Sequence, residues 1–198
     1  TEKTEVSGVV EIPTNLNVAI QTNAVKTQYD DVTIENLRGN VQIQNGTLKL
    51  SNGTLDIIGA TAKMDAMYKN EGTQKAYFDY KINASEFDIK RAYNEIKMFR
   101  EIVTAAESAE GIVGLNYSIK GVLNNQMESI MPSLEGSGIL SVKKVKMKGF
   151  KLLNVVSSKT ENPDIKDPDI SKVDIKTTIK NNIVTIERFK FKVAGFRL

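Results

Sequence analysis

The sequence predicts a mainly β fold of the α+β class: a long antiparallel meander sheet with one long amphipathic helix and one or two short helices. Three observations predict it. Apolar residues recur at every second position through most of the chain, the period of a half-buried strand. Asn-Gly pairs, which tolerate the positive φ of two-residue hairpins, punctuate those runs, as in "NGTLKLSNGTLDIIG" from Asn45 to Gly59. One segment alone, 88–107, changes to a helical spacing of three and four.

Taken in order, residues 1–8 are polar and read as a flexible lead-in to a domain spanning 9–198. Short alternating pieces follow, including Leu16, Val18 and Ile20, then Val32 and Ile34. The meander runs to about Met64, with Asn45-Gly46 and Asn52-Gly53 each expected to reverse the chain, so that Leu48, Leu50, Leu55 and Ile57 form one apolar face. Phe78, Tyr80 and Ile82 continue it. In the helical segment Ile89, Ala92, Tyr93, Ile96, Phe99, Ile102, Val103 and Ala106 make one stripe, with Ser85 and Asp88 at capping-box spacing and Gly111 as a stop. Strands resume at Leu115, Tyr117 and Ile119; "NQMESIMPSL" reads as a short helix broken at Pro132, and "KLLNVVSS" as one or two helical turns. The paired Pro-Asp steps of "NPDIKDPDIS" make a loop before the closing strands. In all, about a dozen short, twisted strands are expected.

The ending resembles the beginning. At an offset of 136 residues Ile43 falls on Ile179, Asn45 on Asn181 and Gly59 on Gly195, while Leu48, Leu50, Leu55 and Ile57 fall on Val184, Ile186, Phe191 and Val193. Repeat units are thus expected around 29–64 and 165–198, building an extended sheet rather than a closed core.

Composition narrows the function. The chain of 198 residues has 27 basic and 24 acidic side chains, a net +3 too mild to imply nucleic acid. It has no His and no Cys, which removes thiolate nucleophiles, imidazole bases and ordinary zinc or copper ligation. Carboxylate-only catalysis stays open, but no carboxylate pair is marked for it, so neither an enzyme nor a cofactor is expected. No run approaches the ~18 apolar residues of a membrane-spanning helix. The start at Thr1, without a leader, suggests a piece of a longer protein.

Three stretches resemble the AsmA-like family of bacterial envelope proteins, in its C-terminal region: "DVTIENLRGNVQIQNGTLKLSNGTLDIIGA", "INASEFDIKRAYN" and "LEGSGILSVKKVKMKGFKL". In the last, Leu134, Gly136, Gly138, Ser141 and Gly149 match a Gly-x-Gly strand and a following turn, although Lys144 and Val145 stand where the family often has a glycine. The resemblance spans roughly Leu16 to Leu198. It implies a periplasmic domain of an inner-membrane-anchored protein in a Gram-negative cell, involved in outer-membrane assembly and phospholipid transport. It also implies that the sheet is curved and groove-like, with no catalytic residues.

The lipid-groove candidates on this reading are Leu48, Leu50, Leu55, Ile57, Phe189, Phe191 and Val193. Lys144, Lys146 and Lys148, with Lys143 and Lys151 nearby, are candidates for attracting anionic headgroups, against the plainer reading of a solvated strand face. Asp164, Asp167 and Asp169 lack calcium-loop spacing and read as a surface turn. Asn45, Asn52, Asn83 and Asn116 begin Asn-x-Ser/Thr sequons but read as turn and strand residues. Tyr77, Phe78 and Tyr80 read as core packing rather than a stacking platform. The alternative function is a carbohydrate- or protein-binding β-domain of an exported surface protein.

Overall fold

A computed structural model describes residues 8–29, 32–149, 151–161, 169–188, 192–193 and 196–197. Nine strands form one antiparallel sheet in strict chain order: β1 (Asn17–Tyr29), β2 (Val32–Gln44), β3 (Thr47–Ile57), β4 (Ala60–Glu71), β5 (Lys75–Asp88), β6 (Ala109–Leu123), β7 (Glu135–Met147), β8 (Asp169–Lys180) and β9 (Ile183–Ile186). A separate two-stranded ribbon joins β10 (Lys192–Val193) to β11 (Phe196–Arg197). The sheet does not close, since among the described residues no strand pairs β1 with β9. The strands are longer than expected, β1–β8 each running 11–15 residues.

Two-residue turns with both residues at positive φ close three hairpins: Asn45–Gly46 (φ 50° and 71°), Ile58–Gly59 (50° and 77°) and Asn181–Asn182 (52° and 60°). The expected reversal at Asn52-Gly53 does not occur. Asn52 adopts φ 52° in the middle of β3, its N–H donating to Asp65 Oδ1 at 2.9 Å, and the strand continues past a bulge to Ile57. A left-handed residue serves a bulge as readily as a turn. The reversal comes instead at Ile58, a β-branched residue in the left-handed region, which its neighbours must hold there. Its side chain is buried among the core residues beside the helices.

The single long helix is also corrected. The segment breaks into α1 (Ile89–Glu95), α2 (Lys97–Ile102) and a 3-10 turn (Thr104–Ser108), with extended backbone at Ile96 (φ −111°, ψ 103°) and a further break at Val103 (φ −107°, ψ 62°). A straight helix over a twisted sheet would carry one end of its stripe away from the strands. Breaking at two β-branched residues lets Ile96, Phe99 and Val103 all pack down, Phe99 meeting Phe87 edge-on at 6.0 Å. The N-cap is Asp88 rather than Ser85: its carboxylate accepts the Arg91 N–H at 2.8 Å. Asp88→Ala is therefore expected to lower stability by about 1 kcal/mol and Asp88→Asn by far less. Equal thermal shifts for the two variants would refute the cap. The short helical pieces materialise as a 3-10 turn at Met131–Ser133, with Pro132 inside it, and as α3 (Lys151–Thr160).

Two core clusters occupy one face of the sheet. The first joins Leu55, Ile58, Ala62, Phe87, Val113, Val142 and Val173 to Ile89, Ala92 and Ala106 of the helical segment. The second joins Phe78, Ile119, Leu123, Leu134 and Ile179 to Val9 and Ile12 of segment 8–16, which leads into β1 without being a strand itself. That lead-in is fastened by Gly8 N–H to Asn125 O (2.9 Å), Val9 N–H to Thr73 O (3.1 Å) and Ile12 N–H to Asn70 Oδ1 (2.9 Å). Residues 1–7 lie outside the described residues.

Candidate functional site

Cross-strand register sorts the side chains into an apolar and a polar face. In β3 the apolar positions shift from even numbers (Leu48, Leu50) to odd ones (Leu55, Ile57). Their β4 partners, Tyr68, Ala66, Ala62 and Ala60, keep even numbers throughout. The bulge at Ser51–Gly53 absorbs the extra residue, so all four side chains point to the same face. The structure thus brings Leu48, Leu50, Leu55 and Ile57 together on one surface, but gives them different surroundings. Leu55 is 4% exposed and is core; Ile57 packs against the first cluster and Leu48 against the second. Leu50 is half-buried and belongs to neither cluster. Phe189 and Phe191 lie outside the described residues, as does the Val193 side chain, and so do Lys190, Gly195, Asp164 and Asp167.

Leu50 lies across two glycines. A Cβ at Gly39 would come within 2.8 Å of its Cδ1, and one at Gly53 within 2.8 Å of its Cδ2. Pairing extends this floor sideways: Leu50 faces Val41 and Ala66, and Val41 faces Ile20 on β1. None of these four residues belongs to either cluster, and Ile20 is 51% exposed. The result is an aliphatic band crossing β1–β4 between the two covered cores, about 14 Å wide at ~4.8 Å per strand. Further across, Tyr80 and Tyr117 are half-buried and pack against the second cluster. Tyr117 lies over Gly136 and Gly138, where added Cβ atoms would meet its ring at 3.1 and 2.4 Å, and its hydroxyl contacts Thr177 Oγ1 at 3.0 Å. Burial raises the Tyr117 phenol pKa, with the Thr177 hydrogen bond opposing the shift. The Gly-x-Gly strand is thereby a seat for an aromatic ring. Sequence reading missed Gly39, Val41 and Ala66 as part of this surface, because only register reveals which residues flank Leu50.

The lysine candidates stand on the opposite, polar face. Lys144 and Lys146 are exposed there, opposite Ile112 and Glu110 on one side and Ser171 and Asp169 on the other, and Lys148 Nζ pairs with Glu110 at 2.6 Å. They are not brought beside Leu50. The aromatic triplet divides likewise: Phe78 is 2% exposed and 4.8 Å from the Tyr80 ring, while Tyr77 sits on the polar face with its hydroxyl donating to Glu71 Oε2 at 2.8 Å. That hydrogen bond is the main cause of a raised Tyr77 pKa. Three of the sequon asparagines, Asn52, Asn83 and Asn116, meet with Lys63, Asp65 and Lys81, and with Met64 and Ile82, around a shallow depression of about 370 Å³. Among the described residues no group of three or more acidic side chains is placed to hold a metal ion. Among the described residues no helix is long and apolar enough to cross a membrane, which leaves strands unaddressed.

Comparison with known proteins gives no match: no family, no curated protein and no solved structure matches the chain.

Proposed function

We propose that this chain is a non-enzymatic lipid-handling module of the AsmA-like type, shielding acyl chains of phospholipid or another envelope lipid on the apolar face of its sheet. On this reading it belongs to a longer protein anchored in the inner membrane and facing the periplasm. The observation that carries the proposal is the aliphatic band of Ile20, Val41, Leu50 and Ala66, which neither core cluster incorporates. A sheet with one apolar face normally buries all of it. An acyl chain suits such a floor, since each buried CH₂ is worth about 0.8 kcal/mol and needs no polar partner. Glycine at positions 39 and 53 lets the Leu50 side chain lie down against the sheet, which keeps the floor low and smooth for an alkyl chain.

The test places a photo-crosslinking residue at Leu50 or at Lys49, which points to the polar face, and mixes each protein with phospholipid vesicles. Lipid adducts are expected at position 50 and not at 49. Equal labelling at both positions, or none at either, would defeat the proposal. The carbohydrate-binding alternative has in its favour the amide and charged groups of Asn83, Asn116, Lys63 and Lys81 around one shallow depression. It predicts the reverse: glycan-dependent protection of Lys63 and Lys81 from acylation, with no lipid adduct at position 50.

A further inference from the structure

We propose that β1 is a self-complementary docking edge through which two copies of this chain join their sheets, strand β1 against strand β1, about a two-fold axis at Gln21. One long side of β1 carries no partner strand among the described residues. Sheets that remain separate usually blunt such an edge with charge, proline, a bulge or brevity. The other end of this sheet is blunted in that way, since β9 spans only four residues. By contrast β1 spans 13 residues, and from Asn17 to Val25 it has no charge, no proline and no glycine. It also carries exposed apolar side chains, Ile20 at 51% and Val25 at 77%.

The occupant follows from the side-chain order. Antiparallel self-pairing centred on Gln21 sets Val18 opposite Ala24 and Ile20 opposite Thr22 on the apolar face. On the polar face it sets Gln21 opposite its own copy and Ala19 opposite Asn23. Apolar or β-branched groups therefore meet on one side and an amide pair meets on the other, as cross-strand pairing favours. No like charges oppose each other, because Lys26, the first charge in the strand, lies beyond this stretch. An axis perpendicular to the sheet keeps both apolar faces on the same side, so the strip of Ile20, Val41 and Leu50 in one protomer would run into that of its partner.

Because the chain has no Cys, single cysteines read the register directly. Directly opposite residues of an antiparallel pair have Cα atoms about 4.5–5.5 Å apart, inside the range of about 4.4–6.8 Å that a disulfide spans. Gln21→Cys is expected to form a disulfide-linked dimer on mild oxidation. Ala19→Cys alone should not, whereas an equimolar mixture of Ala19→Cys and Asn23→Cys should. In sedimentation equilibrium the unmodified chain should dimerise, and Gln21→Lys, which opposes two lysines at the axis, should weaken that dimer by more than about tenfold. Mixing Gln21→Lys with Gln21→Glu should restore it. Circular dichroism of each variant matching the parent excludes misfolding as the cause. A chain that stays monomeric, or Gln21→Cys that crosslinks no faster than a cysteine at exposed Lys49, overturns the proposal. Either result would leave the edge to a segment of the longer protein or to a foreign strand.

Discussion

Gly111→Ala is expected to lower stability by about 3 kcal/mol or more, among the largest effects of any single methyl group in this chain. Gly111 has φ 137°, a conformation L side chains rarely adopt. A Cβ there would lie 2.0 Å from the Lys144 carbonyl oxygen and 2.9 Å from Val145 Cα. Both obstacles are backbone, so relief requires β6 and β7 to part at the point where their register slips between Ile112 and Val113. Left-handed or otherwise sparse backbone alone costs about 1–3 kcal/mol, and the collision adds to it. Gly72→Ala supplies the control: Gly72 also has positive φ (62°) but nothing within 4 Å of the new methyl, so about 1 kcal/mol is expected. Urea midpoints at constant m-value measure both. Gly111→Ala unfolding no more readily than Gly72→Ala would mean that the strands are not pressed together at that step.

Phe78→Ala is expected to cost about 3–5 kcal/mol, the range for removing a fully buried ring. Phe78 is 2% exposed, and its ring packs over Gly121, whose added Cβ would stand 3.1 Å from Cζ. The second cluster it centres includes Val9 and Ile12, so the lead-in should loosen with it. Amide exchange at Val9 should accelerate more than exchange at Ile89, which packs in the other cluster. A melting temperature within a degree or so of the parent would contradict the burial assigned to the ring.

Strand alternation was legible in the sequence, and so was the common face of Leu48, Leu50, Leu55 and Ile57. The mistake at Asn52-Gly53 has a physical origin: a hairpin and a bulge both ask for a residue that tolerates φ near 52°, and composition does not distinguish them. The change from even to odd apolar positions between Leu50 and Leu55 was the available clue, because only a one-residue insertion in a continuous strand keeps both halves on one face. The true reversal at Ile58–Gly59 was illegible, since isoleucine at positive φ is tolerated only through its burial in the core. Helical periodicity correctly placed Ile89, Ala92 and Phe99 over the sheet, but periodicity cannot register the breaks at Ile96 and Val103, which depend on packing against the strands beneath. The candidate site was half legible for a similar reason. Leu50 could be identified from its own strand, whereas the glycines beneath it and the partners Val41 and Ala66 depend on pairing between strands.

Strand order equal to chain order also governs how the molecule can be assembled. Every ladder from β1 to β9 joins neighbours in the chain, and four of the links between them are only two residues long. Loop closure is then cheap at those steps, and no strand in the sheet must wait for a distant partner before it can pair. A chain emerging N-terminus first, from a ribosome or through a translocation pore, can lay each strand against the one before it. Packing that spans the sequence, such as the second core cluster, which gathers residues from Val9 to Ile179, comes last, locking a sheet already in place.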